Sequence, residues 1–141
     1  MKLQLRFPAN VESAAHHAEL AVRLAHEEFD CLLDFSPASL EDLDQQVESL
    51  RETGTNAEAA AEALFVCGCY LGEVLVRGLG GRWVPTGQSV LARLSAWPMV
   101  VRLPDGSTWD AIGKLFRRFE VGDSEYLPAF YYAASRGNRP G

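Results

Sequence analysis

Ala63-Leu64-Phe65-Val66-Cys67-Gly68-Cys69-Tyr70-Leu71-Gly72-Glu73-Val74-Leu75-Val76-Arg77 is the stretch on which the fold turns. Its apolar side chains point to almost every side of a helical wheel, and Glu73 is the only charge before Arg77. A helix apolar all round is a buried one, so this segment predicts the central helix of the domain. The chain holds no proline as far back as Ala57, where Thr55 with Glu58 makes a capping box or Asn56 caps directly. Gly78, Gly80 and Gly81 end it. Gly68 and Gly72, one turn apart, strip one face of side chains and predict the close approach of another element inside the domain.

Two more helices are read upstream. From an Asn10 cap, Val11, Ala14, Ala18, Val22, Ala25, Phe29, Leu32 and Leu33 recur at three- and four-residue steps, which predicts a helix to about Leu33. The next opens at Ser36-Pro37 or at Ser39 with Asp42, and carries a narrow stripe of Leu40, Leu43, Val47 and Leu50. Its Glu41, Asp42, Asp44, Gln45 and Glu48 are expected to face water. Ahead of both, Met1 to Phe7 alternates apolar and polar residues like a half-buried strand, and unlike an export signal.

Downstream the period changes. Arg82 to Val84, Ser89 to Leu94 and Met99 to Leu103 read as short strands, and Pro104-Asp105-Gly106-Ser107 as a turn. Helical spacing then returns with Ile112, Leu115, Phe116 and Phe119 opposite Lys114, Arg117 and Arg118. Gly122-Asp123 breaks that helix, and Ser124 opens a last one with Leu127, Phe130, Tyr131 and Ala134. No repeat or linker divides the 141 residues. The expectation is therefore one α+β domain over residues 1–135, with a frayed tail over 136–141. Three N-terminal helices pack on a small, mostly antiparallel sheet, followed by one or two C-terminal helices.

Charge excludes some partners. The net charge of −6 lacks the basic footprint of a general nucleic-acid binder. Residues 1–62 carry 4 basic and 13 acidic side chains, a balance of −9, whereas residues 63–141 carry 9 and 6, a balance of +3. Such polarity suits a protein partner, or self-association through opposite faces as a homo-oligomer. The most apolar run, Ala63 to Gly72, stops at Glu73, short of the roughly 20 residues of a membrane span. Three cysteines (Cys31, Cys67 and Cys69) without framework spacing point to reduced thiols and a cytoplasmic protein.

The residues that carry chemistry are few. His16, His17 and His26, with Glu19 and Asp30 at helical spacing, lack the patterns of a zinc site, so exposed histidines and no metal or cofactor are expected. Cys67 and Cys69 lie in the apolar helix, where burial makes a thiol inert, and no serine sits in a G-x-S-x-G turn. Gly78-Leu79-Gly80-Gly81 follows a helix instead of opening one, which is a helix end and not a phosphate loop. No catalytic residue is assigned.

Glu73 stands apart. A carboxylate in an apolar helix is either an acid in a pocket or half of an ion pair, and Arg77 follows it by four residues on the same face. Arg82 and Trp83, where the chain turns back, complete the candidate cluster. Lys114, Arg117 and Arg118 form the one basic surface, read either as a solvated helix face or as a contact for an acidic partner.

Tyr70-Leu71-Gly72-Glu73-Val74-Leu75, followed by Gly80-Gly81-Arg82-Trp83, resembles small bacterial domains of unknown function. In these a central helix with a G-E-x-[LV] segment runs into a strand that opens with tryptophan. Trp97-Pro98-Met99 through Gly122-Asp123 resembles their closing strand–helix unit, so the likeness spans about Ala57 to Leu127 and omits the acidic N-terminal helices. It implies an α+β fold without assigned catalysis and, by analogy, an immunity-like binding role. The preferred reading is thus a non-catalytic protein-binding or regulatory domain. The alternative, from another class, is a small-molecule-binding domain or enzyme with a pocket around Glu73, Arg77, Arg82 and Trp83.

Overall fold

Asn56 begins the central helix, α3 (Ala57–Leu79): its side chain accepts a hydrogen bond from the Ala59 amide at 2.8 Å. Gly80, at φ +75°, ends it in the left-handed conformation that glycine adopts without a Cβ penalty. Residues Leu64 to Leu75 are buried without interruption, as the apolar run predicts. The structure, a computed structural model, describes Leu5 and residues 7–138.

Around α3 stand α1 (Ala14–Phe29), α2 (Ser39–Glu52), α4 (Ala111–Val121) and α5 (Leu127–Ser135). A three-stranded antiparallel sheet, ordered β1 (Arg82–Pro85), β2 (Met99–Arg102), β3 (Thr108–Trp109), completes the α+β fold. α1 and α4 pack along α3, the first two strands lie on it, and α2 packs against α4 and α5. The two glycines of α3 serve two of these contacts. A Cβ on Gly68 would come within 2.7 Å of the Ile112 Cα in α4, and one on Gly72 would overlap the Trp83 ring of β1. α3, with 23 residues, is long and apolar enough by length and composition to cross a membrane, which corrects the expectation that its apolar run is too short. Most of that surface is buried inside the fold.

Several boundaries differ from expectation. α1 is preceded by a 3-10 turn over Val11–Ser13, where the Asn10 side chain accepts from the Ser13 amide at 3.0 Å. It stops at Phe29, not Leu33, because Asp30 takes φ +50° and turns the chain. Leu32 is consequently 79% exposed while Leu33 is buried. Ser89 to Leu94 is no strand: the chain turns there, Ser89 capping back onto Thr86, and Val90 and Leu94 point outward. The third strand comes instead from Thr108–Trp109, after Gly106 at φ +87° has closed the Pro104–Ser107 turn.

At the ends, the strand read over Met1 to Phe7 falls mainly on residues outside those described, and Leu5 and Phe7 are not in a strand. The start of the tail is fastened. Asn138 is buried, donates to the Ala134 carbonyl and accepts from the Asp105 amide at 2.9 Å. Residues 139–141 lie outside the described residues.

Candidate functional site

Glu73 sits one helical turn before Arg77, and β1 leaves the end of α3 so that Trp83 returns alongside both. Glu73 is 6% exposed. One oxygen accepts from Arg77 Nε at 3.1 Å and the other from Trp83 Nε1 at 2.8 Å. Arg77 also lies 3.6 Å over the Phe35 ring and reaches Glu19 at 3.8 Å. Phe35 itself is held at φ +65°, rare for a residue with a Cβ. Tyr70 secures it there by accepting from the Phe35 amide at 2.8 Å and stacking on its ring at 4.7 Å. Burial pushes the Tyr70 hydroxyl pKa up, opposed by its hydrogen bond with Ser39.

Three of the four expected residues thus meet, and both oxygens of the carboxylate are taken. The fourth does not join them. Arg82 is exposed and stands opposite Arg102 in the sheet.

The expected basic surface is largely absent, because α4 is covered on its charged side too. Arg118 is 1% exposed and forms a fork on Asp44, Nε to Oδ1 at 2.9 Å and Nη2 to Oδ2 at 3.1 Å. Its Nη1 holds Glu48 at 2.9 Å. Lys114 is buried against Glu125, and Arg117, 3.6 Å from the same carboxylate, is the exposed member. Asp44, expected to face water, is therefore a core residue, and its Oδ1 also accepts from the Leu127 amide that opens α5.

Of the other groups with chemical potential, Cys67, Cys69 and His17 are buried, Cys31 is half-buried, and His16 and His26 are exposed. Burial pushes the Cys67 thiol up to about 12 and raises Cys69 as well, helped by the neighbouring Cys67 and Glu73. Burial and the nearby Asp42 raise Cys31. Of the histidines expected to be exposed, His17 is fully buried: Nε2 donates to the Pro8 carbonyl at 2.9 Å, and the ring meets Phe65 edge-on at 5.0 Å. Among the described residues no three His, Cys, Asp or Glu side chains are placed to hold a metal ion.

What the sequence reading missed is a cleft where α1, α2 and α3 diverge. Leu24 and Phe29, Val47 and Leu50, and Leu64 and Cys67 wall about 250 Å³ of apolar space. Phe29, 41% exposed, forms its lip with Glu28, and Gln46, whose Nε2 is buried without a hydrogen-bond partner, also lines it. The exposed carboxylates Glu27, Asp30 and Asp42 belong to the same helices and the turn that follows α1. The arrangement can take up an apolar side chain and hold cations around it; the thiol in its wall, Cys67, is the one that burial pushes up. Comparison with protein-family models, with curated proteins and with solved structures gave no match.

Proposed function

We propose that this chain is a non-catalytic protein-binding domain of the cytoplasm, whose partner docks an amphipathic, basic segment on the helical face made by α1, α2 and α3. The observation that carries this reading is the apolar cleft under the Phe29 lip, set in the acidic half of the chain. Apolar anchors in a groove supply affinity, and complementary charge supplies orientation and association rate. An immunity-like or regulatory role suits such a surface, in line with the resemblance carried by Tyr70 to Leu75 and Gly80 to Trp83. A ligand pocket at Glu73 has less to stand on, because Arg77 and Trp83 already occupy both oxygens.

The test uses a fluorescent amphipathic Leu–Lys peptide, followed by anisotropy. Saturable binding is expected, weakening as salt rises. Ala63→Trp, which fills the cleft, should abolish it, and the surface double variant Glu27→Lys/Glu28→Lys should weaken it without touching the core. No saturable binding, or binding equal in wild type and both variants, overturns the reading.

A further inference from the structure

Arg82 and Arg102 are direct partners in the β1–β2 register, so their side chains leave the same face of the sheet one strand spacing apart. Like charges in that position repel. Of the other described cations, Arg51, Arg77, Lys114, Arg117 and Arg118 have carboxylate partners, whereas Arg23, Arg93 and Arg136 form no ion pair among the described residues. Among the described residues Arg82 and Arg102 form no ion pair, and the one side-chain hydrogen bond of the two is Arg102 Nη2 donating to the Gln88 carbonyl at 3.3 Å. Asp105, the acid in the adjoining turn, is turned onto Ser107 instead, accepting from its amide at 2.8 Å and its hydroxyl at 2.5 Å.

Both arginines line one cleft of about 260 Å³, whose other walls include Gly80, Pro104 and Gly106. Nothing lies within 4 Å of where a Cβ on Gly106 would stand, and the Gly106 amide is spent on the Leu103 carbonyl at 2.9 Å. Two arginines at one cleft suit a tetrahedral oxyanion, which takes paired N–H donors on more than one edge. We infer that Arg82 and Arg102 form a binding site for a phosphate group, carried by a small phosphomonoester or by a lipid headgroup. An anion between them converts a repulsive pair into two charge-assisted contacts. The site lies on the sheet, apart from the α1–α2–α3 cleft, and its existence does not depend on that cleft having a partner.

The competing account is that the arginines only balance the partial negative charge at the C-terminal end of α3, which closes at Gly80 beside the same cleft. Replacing chloride by inorganic phosphate at constant ionic strength separates the two. With phosphate, the thermal midpoint should rise with single-site saturation, and the Nε–H resonances of Arg82 and Arg102 should shift. Arg82→Gln and Arg102→Gln should each weaken phosphate binding about tenfold or more, while their midpoints in chloride stay level or rise as the repulsion is removed. No advantage of phosphate over chloride, or an undiminished response in both variants, overturns the site. So does a midpoint that falls in chloride while the phosphate response persists, which assigns the arginines to the helix end. Glycerol 3-phosphate and phosphatidic acid vesicles, with phosphatidylcholine vesicles as control, then identify the source. Binding of the soluble ester marks a metabolite site, binding of the acidic vesicles alone marks a headgroup site, and binding of neither overturns the proposal.

Discussion

Arg118 Nε and Nη2 grip the two oxygens of Asp44 at 2.9 and 3.1 Å, joining helices whose residues lie 74 positions apart in the chain. The same carboxylate receives the first free amide of α5, so one side chain ties three helices together. Both partners are almost wholly buried.

Removing one charge from a buried pair costs about 3–5 kcal/mol where the other is left uncompensated; here Glu48 still holds Arg118 Nη1 at 2.9 Å, so the lower end of that range is expected. Asp44→Asn should lose stability on that scale in urea unfolding. The double variant Asp44→Leu/Arg118→Met should recover part of it, since apolar residues of similar size often replace such a pair well. A loss below about 1 kcal/mol for Asp44→Asn would show that water reaches the pair.

Glu73→Gln keeps an acceptor for Trp83 but sets a neutral amide against Arg77. The expected loss is about 1–3 kcal/mol, read from unfolding midpoints at neutral pH. A stabilised variant would instead mark Glu73 as a strained functional acid and reopen the question of a ligand beside it.

Gly68 meets the backbone of Ile112, which a small side-chain motion cannot relieve. Gly68→Ala should therefore destabilise by about 1–3 kcal/mol despite the better helix propensity of alanine. Gly87→Ala, with open space around it, is the control and should be neutral within about 0.5 kcal/mol. Equal effects at the two positions would mean that α3 and α4 are not in close contact.

Hydrogen bonding from Lys114 holds the Glu125 carboxyl below its ordinary value, aided by the charges of Lys114 and Arg117 and opposed by burial. Hydrogen bonding from Arg118 does the same for Glu48. A pKa depressed in the folded state means that the unfolded chain takes up protons first on acidification. This contribution is complete above the ordinary glutamate pKa of about 4.3 and is lost as pH falls through the lower folded value. Glu125→Gln should be less stable than wild type at neutral pH and should decline less steeply on acidification. Parallel curves in a urea titration against pH would refute the assignment.

The parts of the fold that were legible in the sequence are local ones. Asn56 and Gly80 bound α3 because caps act within a turn, and Glu73 finds Arg77 because four residues make one helical step. Trp83 was within reach because Gly80 and Gly81 allow only a short return. Asp44 was not legible. It shares α2 with Glu41, Asp42 and Gln45, which are exposed, and only a cation 74 positions away distinguishes it from a solvated acid. Arg118 misled for the same reason, since a polar stripe on α4 looks solvated until α2 covers it. At Ser89 to Leu94, residues with strand propensity found no neighbour to pair with, and propensity yields to that. The cleft walled by α1, α2 and α3 depends on how three helices splay, which periodicity does not encode.

Because α3 is wrapped from both sides of the chain, synthesis leaves it waiting. α1 has already left the ribosome when α3 emerges, but β1, β2 and α4 are still to be made. At about 5–20 residues per second, the forty or so residues from Arg82 to Val121 take roughly 2–8 seconds. For that interval the most apolar segment of the protein is half clothed, with the length and hydropathy that membrane-insertion machinery and holdase chaperones select. Yield in a foreign host will then depend on translation speed and chaperone supply, even where the finished fold is stable.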